Sequence, residues 1–271
     1  MREVEHFSYM IISIVLLFLA HLLIFCSALS ISTRQNLKMR ILSTDAELKE
    51  VFSRPKTTII GFGSLLSETS SRYTFPNLQN FREVRIEGYT RKYQHPAFVF
   101  FRRGIADLDT KAYASLSTEP SADGGGFIAC AFEIEGETKE AWVNREEEFE
   151  FHMVNFREKG GEESTGIMCC APRERDDAIF ISRFGEETYN SSLKEAGISG
   201  IWNRELNQGI LPCSVYLRHC VLASRRSREC EDSFLDETFL ENGVPVRQYL
   251  AENPWVMELQ PPQSLVGRYS G

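Results

Sequence analysis

Apolar residues come in short bursts between residues 57 and 170 and in wider, helically spaced sets after that. Thr57 to Phe62 is a burst of the length expected for a buried strand, and Val84 to Tyr93 alternates like a half-buried one. Ala97 to Phe101 is a second apolar run. Tyr113–Ser117 and Phe127–Ile134 read as strands either side of the turn cluster Glu119 to Gly126. Three consecutive glycines lie in that cluster, but no Gly-Lys-Ser/Thr follows and a strand comes next. The pattern therefore predicts a hairpin, not a phosphate loop. Phe149 to Phe156 alternates again, and Gly166 to Ala171 is another strand.

Helical spacing appears at both ends of this region. Asp45 to Phe52 predicts a short helix, capped by Ser43 or Thr44 and stopped by Pro55. Leu65 to Tyr73 reads as a turn, and Thr138 to Glu150 starts as a helix before passing into a strand. Beyond Pro172 come IFISRF, then helices or turns at Glu187–Ala196 and Ser199–Gln208. Pro212–Ser224 is an amphipathic helix with Val215, Leu217, Cys220 and Val221 apolar. Phe234–Asn242 reads as a helix closed by Gly243, and Val246–Ala251 as a final short one. Strands first and helices last predict an α+β fold with a mixed or closed sheet, not a doubly wound one.

Residues 1–40 stand apart as a signal, anchor and targeting segment, leaving 41–271 as the folded domain. No charged residue occurs from His6 to Thr33. Met10 to Ala20 fits a signal-peptide apolar region of roughly 7–15 residues, and Cys26-Ser27-Ala28 offers a cleavage site. Residues 9–29 together are also long enough to span a bilayer, which takes about 20 residues. Retained as an anchor, the stretch is followed by Arg34, Lys38 and Arg40, which favours a cytosolic domain. Cleaved, it exposes a Ser/Thr/Arg/Lys stretch at 30–42 that reads as a transit-like address. Both readings stay open. The expectation is the secretory route or a membrane, with a plastid destination if the signal is bipartite.

A formal net charge of −8 argues against a phosphate-backbone binder, so no nucleic-acid partner is expected. The seven cysteines include no CxxC pair and no histidine at ligand spacing beside a cysteine pair, so no metal is expected. Most read as buried free thiols acting as small hydrophobes.

Chemistry is suggested first by Gly61-Phe62-Gly63-Ser64-Leu65. The serine spacing is wrong for a nucleophile elbow, and the third glycine of a dinucleotide fingerprint is missing. His95, His152 and His219 have no local partner signal and read as structural. The second suggestion is the acidic run Glu146, Glu147, Glu148 and Glu150, hemmed in by Trp142, Phe149 and Phe151. A carboxylate held against aromatic surface has its charged form disfavoured, which moves its pKa toward that of a useful general base.

Together these pieces resemble the gamma-glutamylcyclotransferase-like superfamily, in its plant, algal and cyanobacterial branch. Phe62-Gly63-Ser64-Leu65 is similar to the family's Tyr-Gly-Ser loop. Arg145-Glu146 is similar to the pair that supplies its catalytic glutamate. LPCSVYLRHCVLAS, FLDETFLENG and VRQYL resemble its C-terminal helical signature. The resemblance implies a small mixed-sheet barrel with C-terminal helices. It also implies a lyase or acyltransferase chemistry of glutathione metabolism, in which a gamma-glutamyl compound closes on itself to 5-oxoproline and releases an amine. No cofactor or metal is implied. Glu146 would be the general acid/base, with Glu147 as the register alternative, and Phe62, Gly63, Ser64 and Leu65 would bind substrate. Phe62 stands where the family has tyrosine, so that hydroxyl is missing. The competing readings are a non-catalytic ligand-binding module on the same fold and an amidohydrolase in which water attacks.

Overall fold

The computed structural model describes residues 40–136 and 139–271. The segment at residues 9–29 expected to reach a membrane lies outside them, as does Cys26. Strand β1 (Arg40–Ile41) leads into helix α1 (Asp45–Phe52). The helix starts where the sequence predicts. The Thr44 hydroxyl accepts from the Glu47 N–H at 3.2 Å, and the Glu47 carboxylate accepts from the Thr44 N–H at 3.0 Å. Two orphan donors are thereby satisfied reciprocally. There follow β2 (Thr57–Gly61), α2 (Glu68–Arg72), β3 (Gln79–Glu87), β4 (Tyr89–Pro96), α3 (Phe98–Arg102), β5 (Ala112–Pro120) and β6 (Gly126–Ile134). Then come α4 (Lys139–Arg145), β7 (Glu150–Glu158), β8 (Glu163–Cys170), α5 (Ala178–Phe184) and α6 (Glu186–Ala196). The last third holds β9 (Leu211–Pro212), α7 (Ser214–Ser224), α8 (Arg228–Asp236), β10 (Thr238–Leu240) and α9 (Val246–Glu252).

Five strands close on themselves in the order β7-β3-β6-β2-β8, with β8 pairing back onto β7 and β1 appended to β7. Closure removes exposed edges. The ladder is antiparallel except where Ile59 of β2 pairs parallel with Ile167 of β8. This is the α+β mixed barrel that the resemblance implied. A second sheet, β10-β4-β5-β9, packs beside it. The chain passes from barrel to sheet at Gly88, whose φ of 78° lies in the left-handed region.

Two local expectations are corrected, and the apolar run at Ala97–Phe101, to which the sequence pattern assigned no element, takes one. The glycine-rich turn at 119–126 does not close a hairpin. β5 pairs with β4 and β9, while β6 is taken on both sides by β2 and β3. Turn residues dictated the reversal; which strands met was decided by packing. The apolar run at Ala97–Phe101 is the short helix α3, because Pro96 ends β4 and a run this short fits either element. The helix predicted over Phe234–Asn242 stops at Asp236. Thr238–Leu240 instead pairs parallel with Arg91–Tyr93, and Gly243 closes the turn after that strand.

The core runs through barrel and helices. α7 is buried on nearly all sides, and the six described cysteines are all buried and free. Among the described residues no helix is long and apolar enough to cross a membrane. Phe132 of β6 is fully buried, stacked on Phe81 at 5.7 Å and tilted against Phe75 at 5.9 Å. Phe132→Ala is expected to cost about 3–5 kcal/mol in a denaturant unfolding experiment. A loss below about 0.5 kcal/mol, within the range of a surface substitution, would show that the barrel does not depend on this ring.

Candidate active site

The loop after β2 is built around close approaches. A Cβ on Gly61 would stand 2.4 Å from the Leu65 Cβ, so only glycine lets the chain fold back here. A tight turn follows, with Leu66 N–H donating to the Gly63 carbonyl at 2.9 Å. Phe62 and Leu65 are buried, Phe62 edge-on to Phe127 at 6.4 Å. Gly63 lies under the hydroxyl of Tyr216 from α7, which is 2.5 Å from where a Cβ would be. The Ser64 N–H donates to that hydroxyl at 3.3 Å. The Ser64 N–H is thus engaged within the protein. The Gly63 N–H has no protein acceptor among the described residues.

The acidic run sits where α4 ends and β7 begins. Arg183 of α5 donates to the carbonyls of Glu146 and Glu147 at 3.3 and 3.2 Å, and the Trp202 indole donates to that of Glu148 at 2.9 Å. With its backbone held this way, the turn sends Glu146, Glu147 and Glu148 all to one cavity of about 520 Å³. The sequence pattern suggested a single inward acid. The loop residues Phe62, Gly63, Ser64 and Leu65 line the same cavity, which is within the usual size of small-molecule sites.

Arg145 joins the two motifs. Its Nε donates to Glu146 at 2.8 Å, one terminal nitrogen donates to the Thr74 hydroxyl at 2.7 Å, and the other to the Ser64 hydroxyl at 3.1 Å. A planar guanidinium fork can serve three partners in fixed directions. Residues 81 apart in the chain thereby meet through one side chain.

Burial raises the pKa of all three acids. For Glu146 the rise is opposed by the charge of Arg145 and reinforced by Glu148. Glu147, paired with Arg102, is pushed up to about 7 by burial and by Glu148. Glu148 also reaches about 7, chiefly by burial. Its carboxylate lies 3.3 Å from Nε2 of His95. Burial holds His95 down to about 3, so the ring is neutral and bonds as a dipole. It stacks on Trp202 at 4.1 Å. His219 is likewise held down to about 4 by burial and accepts from the Gly271 N–H at 3.0 Å.

Both register alternatives, Glu146 and Glu147, therefore reach the cavity, and they differ in partner. Glu146 is wired through Arg145 to the Gly-Ser loop. Glu147 faces Arg102 of α3. Sequence reasoning missed Tyr216, Arg102, Arg103, Arg268 and Tyr269, all on the cavity wall. Tyr216 left a faint signal, a polar-tipped residue among the apolar positions of its helix. The missing Phe62 hydroxyl thus has a neighbour in kind, since Tyr216 brings a phenol to the same loop.

No protein-family model and no curated protein matches the chain. Solved structures do. An uncharacterized human protein is similar at 10% identity over 54% of this chain and 90% of its own, with a TM-score of 0.36. A gamma-glutamyl cyclotransferase is similar at 10% identity over 54% and 89%, with a TM-score of 0.35. A protein of Arabidopsis thaliana gives 13% over 52% and 89%, with a TM-score of 0.33.

Proposed function

We propose that the protein is a gamma-glutamylcyclotransferase-type enzyme, converting a gamma-glutamyl amino acid, peptide or amine to 5-oxoproline and a free amine. The observation that carries this reading is Glu146. It lies on a cavity wall with its pKa raised by burial, and Arg145 bonds it to the Gly-Ser loop.

In this reading the substrate's α-amine attacks its own side-chain carbonyl carbon. A carbon–nitrogen bond forms to close the five-membered ring, and the amide carbon–nitrogen bond breaks. Glu146 takes the proton from the attacking nitrogen and returns it to the leaving nitrogen, so no net proton or water is consumed. Nucleophile and electrophile are in one molecule, and folding that molecule into the reactive rotamer supplies much of the acceleration. The Gly63 N–H is the donor available to the carbonyl oxygen as charge develops on it.

The test is to incubate the protein with glutathione and a panel of gamma-glutamyl amino acids and to assay 5-oxoproline. Release of free glutamate in its place would identify water as the attacking group. Tight binding without any product would identify a binding module.

The pH profile carries a further prediction. Arg145 lowers the Glu146 pKa through its charge and its hydrogen bond. Arg145→Gln removes both, so the carboxyl titrates at higher pH and less of it is ionised at any pH below that. The acid limb of kcat/KM is expected to move to higher pH, with activity partly recovered by raising pH. An unmoved limb with uniformly lower activity would mean that Arg145 acts only on structure.

A further inference from the structure

Four arginines and three acids line the cavity, and the third acid, Glu148, faces the neutral His95. Arg145 is paired with Glu146 and Arg102 with Glu147. Two more guanidinium groups line the cavity, Arg103 at the end of α3 and Arg268 near the chain's end. Among the described residues neither has a carboxylate partner. Arg103 donates to the Tyr269 hydroxyl, and Arg268 lies over the Tyr73 ring at 5.7 Å. Both are half-buried. Arg268 is held down to about 10, mainly by burial and then by the nearby charges of Arg103 and Arg145, against a smaller opposing pull from Tyr269 and Glu146. Two like charges brought together away from bulk water repel, and a protein that keeps them so gains nothing from the pair alone. An anion between them would relieve both the repulsion and the lost solvation, and guanidinium groups suit a carboxylate's two oxygens.

A gamma-glutamyl amine has one carboxylate, on the glutamyl half. A gamma-glutamyl amino acid or peptide has a second, on the leaving half. We propose that Arg103 and Arg268 form a subsite for the leaving-half carboxylate, so that gamma-glutamyl amino acids and peptides are the substrates and gamma-glutamyl amines are not. This rests on the cyclotransferase reading and narrows its substrate class.

Titration calorimetry of the full chain tests it with three probes: gamma-glutamylalanine, its C-terminal amide, and 4-aminobutanoyl-alanine, which lacks the glutamyl carboxylate. The Glu146→Gln variant is used where turnover interferes. The free acid is expected to bind about tenfold or more tighter than the amide, the usual worth of a charge-assisted contact. In Arg103→Gln and in Arg268→Gln that ratio is expected to fall toward one, through loss of affinity for the acid alone. Arg268→Lys should keep part of it.

Equal affinity for acid and amide in the unaltered protein, which requires no variant to fold, would overturn the subsite. So would an arginine substitution that weakens the amide as much as the acid, or one whose effect vanishes only with the 4-aminobutanoyl probe. 5-Oxoproline is assayed in the same unaltered samples. Product without an acid preference removes the subsite and leaves the cyclotransferase reading standing. An acid preference without product does the reverse.

Discussion

Glu146→Gln is expected to reduce 5-oxoproline formation by about 10²–10⁴-fold, the usual contribution of a positioned acid–base group. Glutamine keeps the shape and can still accept from Arg145, so the loop–Arg145 connection at Ser64 and Thr74 is retained. What it loses is the ability to take a proton from the substrate amine and hand it on. The loss should therefore lie in kcat, with KM changed little. Glu147→Gln is the matched control. Glu147 reaches the same cavity but answers to Arg102, and its removal should cost far less. Were Glu147 the base, the acid limb of the profile would fall near pH 7, where its carboxyl titrates, and Glu147→Gln would abolish turnover. Single-turnover assays of the two variants decide between the registers. Activity surviving both would remove Glu146 and Glu147 as the base.

The barrel was legible because its strands announce themselves locally. Thr57–Gly61, Gly126–Ile134 and Glu163–Cys170 each carry an apolar run or an alternation that holds whatever they pair with. Pairing is another matter. The turn at 119–126 looked like a hairpin because reversal is encoded in Gly and Pro, while β5 and β6 part into different sheets for reasons held in β4 and β3. Thr238–Leu240 is a strand only because Arg91–Tyr93 offers a free edge 147 residues earlier in the chain, and three residues carry too little pattern to reveal that.

The site divides in the same way. Gly63, Ser64, Arg145 and Glu146 could be named from residue type and order. Arg145 as the link between the motifs could not, because a contact across 81 residues leaves no trace in spacing. Tyr216 and Arg268 arrive from the far end of the chain, and their place on the wall is set by how the last helices and turns dock on the barrel.

Gly63→Ala is expected to disable the site from the opposite side, and Tyr216→Phe to repair much of the damage. The added methyl would sit 2.5 Å from the Tyr216 hydroxyl, too close for both to stay. Tyr216 cannot simply swing away, being buried and packed against Phe100 at 4.8 Å and Tyr93 at 6.3 Å. Overpacking of this kind costs about 1–3 kcal/mol. Here it also pushes on the turn that carries Ser64 and, through Arg145, on Glu146, so activity is expected to fall at least as far as stability does. Tyr216→Phe alone has a different cost, because it leaves the Ser64 N–H without its acceptor. Combined, the two changes should interfere constructively. With the hydroxyl gone, the nearest remaining neighbours of the new methyl are Leu116 Cδ2 at 3.5 Å and the Tyr216 ring carbon at 3.6 Å, both ordinary contacts. The double variant should therefore be more stable than the sum of the single losses, by about 0.5–3 kcal/mol in a denaturation cycle. Strict additivity would mean that the methyl's obstacle is not the phenol, and that Tyr216 does not shape the loop.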